Sequence, residues 1–289
     1  MNLIRPVFPL ILLAALTVQA QTAYVNSEAF FRRGVEYYQR GDLSGAREAF
    51  DRLLAEDPNS AEGYYNRGVV FYDEKDFAKA QADLDKAISL KPDYTLAYIK
   101  RGNLHMQQSE YEAAIADYNE AIKLEPRNAL AWNNRGLIYQ NQRQFDSALR
   151  DFTEAIKHDA KMVAAYNNRG SIYHDQGKLD EALKEYDQAI NLAPEWPMSY
   201  NNRGVTRKAK GDLQGALRDY TKAIELRPNF GLAYSNRARV YNELKQYEKV
   251  RQDIARSLEF GGTMDENLEP TLEKTATKLT PVSAPTKIK

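Results

Sequence analysis

The chain of 289 residues sets 40 Lys and Arg against 40 Asp and Glu, with the signs interspersed throughout, so it carries no electrostatic footprint for a phosphate backbone and nucleic acid is not an expected partner. The absence of cysteine excludes a disulfide framework, a thiolate zinc site, an iron–sulfur cluster, a cysteine nucleophile and a lipidated lipobox cysteine. Three histidines, His105, His158 and His174, leave little for metal ligation or general-base work.

The first twenty residues differ in character from the rest of the chain. Arg5 precedes an apolar run of about a dozen residues, Val7 to Val18, and Val18-Gln19-Ala20 supplies a small-residue ending. A bilayer-spanning helix needs roughly 20 apolar residues, and this run is shorter and contains Pro9. Residues 1–20 therefore read as a cleavable signal peptide. The expectation is an exported chain starting at Gln21, with no stable membrane insertion, periplasmic in a Gram-negative bacterium and otherwise secreted. Residues 21–26 form a short lead.

From Ser27 the chain repeats every 34 residues, in seven registers over 27–60, 61–94, 95–128, 129–162, 163–196, 197–230 and 231–264. The fourth position is always aromatic (Phe30, Tyr64, Tyr98, Trp132, Tyr166, Tyr200, Tyr234). The eighth is glycine from Gly34 to Gly204 and Ala238 in the last repeat, and the twentieth is alanine from Ala46 to Ala216 and then Val250. The twenty-fourth is large and apolar (Phe50, Leu84, Tyr118, Phe152, Tyr186, Tyr220, Ile254). Proline stands at the thirty-second position as Pro58, Pro92, Pro126, Pro194 and Pro228, replaced by Ala160 and Gly262. Positions 4, 8 and 11 share one helical face, and positions 20, 24, 27 and 28 form a second stripe, so each unit is predicted to be a helix hairpin and the fold all-α. Small residues at 8 and 20 let the backbones approach, and stacking on the next unit completes the core. Proline at 32 is expected to force the second helix to stop.

This pattern resembles the tetratricopeptide repeat family, over about four-fifths of the chain. The resemblance implies a right-handed superhelical solenoid with the first helices lining its concave side. It also implies a scaffold for protein–protein interaction. After the repeats, Leu268, Leu272, Ala276 and Leu279 share an apolar spacing that predicts a capping helix over 265–279, and residues 280–289 read as a disordered tail.

Catalytic chemistry finds no foothold. The chain has no Gly-rich phosphate loop, no H-E-x-x-H and no G-x-S-x-G, so an enzyme, a metal and a cofactor are not expected. His105 takes the eleventh position, occupied elsewhere by Phe71, Tyr139, Tyr173 and Tyr241, and is read as a packed side chain. Arg207 takes the same position in the sixth repeat and is expected to snorkel to the surface.

Two polar columns remain. The seventh position is always arginine, and the twenty-third is acidic in all repeats but the first (Asp83, Asp117, Asp151, Glu185, Asp219, Asp253), which suggests a structural ladder of charge pairs between helices. The sixth position reads Arg32, Asn66, Lys100, Asn134, Asn168, Asn202 and Asn236. A carboxamide can clasp the N–H and C=O of a partner backbone together, and the column looks like the asparagine ladder of some superhelical members of the family. The alternative is a hydrated residue common at this position. Asn103, Leu137 and Ser171 at the ninth position, with Leu96, Leu130, Met198 and Leu232 at the second and Val205 at the ninth, give the expected groove an apolar and amide-rich character. The family's carboxylate clamp is absent, since position 5 holds Phe31, Tyr65, Ile99, Asn133, Asn167, Asn201 and Ser235 and position 2 holds no lysine.

The expected function is an exported, non-catalytic scaffold that binds a peptide or protein segment through Asn66, Lys100, Asn103, Asn134, Leu137, Asn168, Ser171, Asn202 and Asn236. Two alternatives stand beside it: an assembly factor that self-associates through terminal repeats, and an accessory subunit of an envelope enzyme.

Overall fold

The computed structural model describes residues 26–262, and every regular element within them is α-helical. The expected signal peptide at 1–20, nearly all of the lead at 21–26, the last two residues of the seventh repeat, the expected capping helix at 265–279 and the tail at 280–289 lie outside the described residues. Fourteen helices alternate as first and second helices of the seven repeats. They are α1 (26–39), α2 (Leu43–Glu56), α3 (Ala61–Asp73), α4 (Phe77–Leu90), α5 (Thr95–Gln107), α6 (Tyr111–Leu124) and α7 (Ala129–Asn141). The series continues with α8 (Phe145–His158), α9 (Val163–Asp175), α10 (Leu179–Leu192), α11 (Pro197–Ala209), α12 (Leu213–Leu226), α13 (Gly231–Glu243) and α14 (Tyr247–Glu259). The chain divides within α7 into two compact units, one ending at Ile138 and the other starting at Tyr139.

Local chemistry sets the helix starts. Asp42, Ser60, Asp76 and Asp212 each accept a hydrogen bond from a backbone N–H one turn in, at Gly45, Gly63, Lys79 and Gly215, satisfying a donor that the helix itself cannot. The helix stops differ from expectation. Second helices end two residues before the proline position, on an extended cap whose N–H still bonds back into the helix. The fourth repeat has Ala160 where five others have proline, yet α8 stops in the same register at His158. Proline accompanies this stop and does not cause it.

The turn inside each hairpin carries a left-handed residue at the fifteenth repeat position. It is glycine in the first, fifth and sixth repeats (Gly41, φ 78°; Gly177, 73°; Gly211, 84°). It is Lys75 (63°), Ser109 (61°), Arg143 (58°) and Lys245 (58°) in the rest.

Packing of the first unit centres on the approach of first and second helices. A Cβ at Gly102 would lie 2.7 Å from the ring of Tyr118, and one at Gly34 would lie 2.5 Å from that of Phe50, so the eighth position has room only for hydrogen in these repeats. Tyr118 is fully buried with Ile99, Ala114, Ala121, Ala131 and Ile138 around it. Burying a side chain of this size contributes about 1.5–3 kcal/mol. The second unit repeats the arrangement with Gly170 beneath Tyr186 and Gly204 beneath Tyr220. Where the ring gives way to Ile254, the eighth position can take a methyl, and Ala238 packs against it with Val250. No described helix is long and apolar enough to cross a membrane.

A side chain in the left-handed region costs about 1–2 kcal/mol, and glycine returns part of that gain through the entropy of the unfolded chain. Lys75→Gly and Arg143→Gly are each expected to stabilise by about 0.5–1 kcal/mol, and Gly177→Ala to destabilise. Urea denaturation midpoints at constant slope measure all three.

Candidate binding surface on the first helices

The arginine column and the acidic column meet as the sequence suggests. In the first unit, Arg67 grips Asp83 with Nε at 2.7 Å and Nη2 at 2.8 Å, and Arg101 grips Asp117 at 3.0 and 2.6 Å. In the second, Arg169 holds both oxygens of Glu185 at 2.9 Å, Arg203 holds Asp219 at 3.0 and 2.7 Å, and Arg237 holds Asp253 at 2.8 and 2.7 Å. Each guanidinium also lies over the aromatic ring at position four, with centroid distances from 4.8 Å at Trp132 to 5.8 Å at Tyr166. The remaining Nη1 reaches back to the preceding repeat. Its acceptor is always the twenty-fifth position: Asp51, Asp85 and Asn119 in the first unit, Thr153, Asp187 and Thr221 in the second. Sequence reasoning missed this third contact.

Arg207 departs from its expectation. It turns inward and donates to Asp219 at 2.8 Å, giving that buried carboxylate two guanidinium partners. The attraction of a desolvated acid outweighs solvation of the head group. His105 bonds Glu110 at 2.6 Å, His174 meets Thr206 Oγ1 at 3.0 Å, and His158 lies 3.4 Å from Glu154. Among the described residues no three metal-ligating side chains converge.

The first helices of the first unit bring Asn103 and Asn134 together. Asn134 Nδ2 donates to Asn103 Oδ1 at 2.9 Å, and the same oxygen accepts the Tyr118 hydroxyl at 2.6 Å. The ring that crosses Gly102 thus delivers its hydroxyl to the side chain of the next residue, Asn103, and burial pushes its pKa upward. Asn134 Oδ1 in turn accepts from Asn133 at 3.2 Å. Asn66 bonds back to the Glu62 carbonyl of its own helix at 2.7 Å. Lys100 stands apart in chemistry: its ammonium lies 4.0 Å from the centroid of Tyr72 and 3.9 Å from Asp73, which also accepts the Tyr38 hydroxyl at 2.6 Å. Burial lowers the Lys100 pKa, and burial followed by the Asp73 bond raises that of Tyr38 to about 12. Leu137 is half-buried, while Leu96 and Leu130 remain about half exposed.

In the second unit Ser171 accepts from Gln140 at 3.3 Å, Asn202 Oδ1 accepts from Asn201 at 3.3 Å, and Asn236 donates to Asn201 at 2.9 Å. Asn236 is 6% exposed, and its oxygen receives Arg239 at 3.4 Å, so it belongs to the framework of the surface. Asn168 is half-buried on α9. Beneath these residues lie the fifth-position asparagines. Asn167 donates to the Val163 carbonyl at 3.0 Å and to Ser199 at 2.8 Å, which fixes its amide orientation and leaves Oδ1 buried without a partner. The doubled Asn-Asn before Arg-Gly at 133–136, 167–170 and 201–204 was the available signal for them. The amides form local chains, each donor satisfying the next acceptor. Asn134 and Asn202 each use one of two acceptor lone pairs in these bonds, leaving acceptor capacity for the N–H of an incoming peptide unit.

Sequence profiles described as TPR repeat match residues 102–143 and 170–211, and profiles described as Tetratricopeptide repeat match 31–95, 129–161, 197–230 and 219–252. No curated protein matches the sequence. Among solved structures, a tetratricopeptide repeat protein from Parabacteroides merdae is 20% identical over 87% of this chain and 99% of its own, with a TM-score of 0.67. Pseudomonas aeruginosa pilF is 19% identical over 78% and 99%, with a TM-score of 0.66. YrrB, described as a TPR protein with an unusual peptide-binding site, is 26% identical over 65% and 97%, with a TM-score of 0.51.

Truncating one partner of a buried ion pair costs about 3–5 kcal/mol. Arg67 is one-fifth exposed, so Arg67→Ala is expected to cost about 3 kcal/mol by stranding Asp83. Arg203→Ala should cost less, about 1–2 kcal/mol, because Arg207 still serves Asp219. Chemical denaturation of the two variants compares them directly, and equal losses would show that Arg207 does not compensate.

Proposed function

Because this chain belongs to the tetratricopeptide repeat family, whose members are usually non-catalytic scaffolds, we propose that it is an exported scaffold binding an extended peptide or protein segment along its first helices. The observation that carries the reading is the partly satisfied amide surface around Asn134 in one unit and Asn202 in the other, flanked by half-exposed Leu96 and Leu130 and by Met198 and Leu232. Amides bind a backbone without regard to its side chains, and apolar neighbours at the second position supply selectivity. YrrB, with its unusual peptide-binding site, supports a peptide as the ligand class. Export rests on the apolar run and Val18-Gln19-Ala20 ending, and an intact mass beginning at Gln21 is its check.

Asn66, Asn103, Asn134, Asn168, Ser171 and Asn202 are the polar contacts of this surface, with Leu137 and the Lys100 ammonium beside them and Asn236 supporting from below. The partner is to be trapped by cross-linking in the native compartment and identified. With that partner in hand, combined Asn134→Ala, Asn168→Ala and Asn202→Ala should leave the circular dichroism spectrum unchanged. At about 0.5–1.5 kcal/mol per clasp, binding should weaken roughly ten- to a thousand-fold. Undiminished affinity in a folded triple variant would move recognition to another surface.

A further inference from the structure

The first repeat keeps the arginine of the seventh position and lacks the acid that the other repeats give it. Position 23 is acidic from Asp83 to Asp253 and is Ala49 in the first repeat. The back-reaching contact is missing too, since no second helix precedes α1 among the described residues. Arg33 is exposed, and among the described residues it has no hydrogen bond, ion pair or ring contact. The ring at its fourth position, Phe30, lies instead under Arg52, whose Cζ is 6.0 Å from the centroid.

A cleft of about 390 Å³ opens here between α1 and α2, within the size range of small-ligand sites. Phe30, Arg33 and Tyr37 line it from α1, and Gly45, Ala49 and Arg52 from α2. The two carboxylates at the cleft are already committed: Asp42 accepts the Gly45 N–H at 2.8 Å, and Glu48 accepts from Arg52 at 2.7 Å. Arg33 thus offers a whole guanidinium fork beside a residue that has only a methyl group. A carboxylate entering over Ala49 can meet that fork as Asp83 meets Arg67, at 2.7 and 2.8 Å, with its carbon chain along Phe30 and Tyr37.

Two sources close at hand do not provide it. Residues 1–26 contain no Asp or Glu, so the segment leading into α1 has no carboxylate side chain to give. A second copy stacked in the register of the array would bring position 25 of its seventh repeat to Arg33. That position accepts from the next arginine in every earlier repeat, as Asp51, Asp85, Asn119, Thr153, Asp187 and Thr221, but is Ala255 in the seventh. We propose that Arg33 and the cleft over Ala49 seat an acidic side chain of a partner protein, which completes in trans the pair that other repeats close within a hairpin. The seat shares no residue with the amide surface of the first helices and is a second contact region, independent of that reading.

The probes are two pentapeptides, acetylated and amidated, that differ only in a central glutamate or glutamine between leucines. Each is titrated at fixed ionic strength into the full-length chain, with the backbone amide shifts of α1 and α2 reporting occupancy. The glutamate peptide should bind at least about ten-fold more tightly than the glutamine peptide. Arg33→Gln should remove that preference, and so should Ala49→Asp, whose own carboxylate closes the fork from within. Both variants should keep the circular dichroism spectrum, since Arg33 has no described partner to strand and Asp is the usual residue at position 23. Equal affinity for the two peptides, or a preference that survives either substitution, overturns the proposal. A dimer of the unmodified chain that Ala49→Asp dissolves, seen by sedimentation, overturns it in favour of a second copy. No asparagine of the first helices enters these comparisons, so their outcome is separate from that of the Asn134, Asn168 and Asn202 variants.

Discussion

The guanidinium at the seventh position joins each hairpin to the one before it. It lies on an aromatic ring of its own first helix, closes a two-point bond on an acid of its own second helix, and reaches an acceptor on the preceding second helix. Only a planar group with several donors in a fixed fork can do all three; a lysine ammonium in the same place would lose the bidentate grip and the stack. The contact sets the distance between the two helices of a hairpin as well as the step to its predecessor. That distance is what brings the ring at position 24 down on the glycine at position 8 and, through Tyr118, carries a hydroxyl to Asn103. A buried ion pair is weak evidence of net stability, since desolvation offsets much of the attraction. Its contribution here is register: a hairpin shifted by one residue would leave Asp83 or Asp219, each almost wholly buried, facing no cation.

Much of this was legible because it rests on positions that repeat in kind. The aromatic, glycine and alanine periods specify hairpins, and a constant arginine sixteen residues before a near-constant acid specifies their pairing. The twenty-fifth position escaped notice for a physical reason. Asp51, Asn119 and Thr153 share no charge and no shape, only an oxygen that can accept one hydrogen bond, so a column defined by a single acceptor looks like random surface. The left-handed fifteenth position was hidden in the same way, because hydrogen bonds of the turn hold Lys75 and Arg143 where glycine would be expected. Arg207 was misjudged because the pull of Asp219 depends on burial, which a sequence does not display.

The amide layer of the first helices was legible in outline and not in wiring. The sixth-position asparagines stand where the period places them, yet Asn236 is sequestered and Asn66 is turned onto its own helix. The fifth-position asparagines, noted in the sequence only as a departure from another binding device, turn out to be buried donors and acceptors that orient the layer above. Asn201 does so in both directions, donating to Asn202 and accepting from Asn236. A buried amide must be satisfied or it is costly, so once Asn133, Asn167 and Asn201 enter the interior their neighbours are constrained to answer them. Asn167 Oδ1 is the one place among these described bonds where the answer is missing.

The relative size of the two kinds of contact on this surface determines how a partner would be chosen. A net hydrogen bond from an amide contributes about 0.5–1.5 kcal/mol and treats every peptide backbone alike. Completing the burial of a half-exposed leucine contributes about 1 kcal/mol and does so only if the partner has an apolar side chain at that place. The terms are comparable in magnitude and opposite in discrimination. Leu96 and Leu130 occupy the same position of successive repeats, as Met198 and Leu232 do in the other unit. On the proposed reading, the amides of each unit would hold a partner backbone in register, and the second-position apolar residues of that unit would select among partners by their side chains.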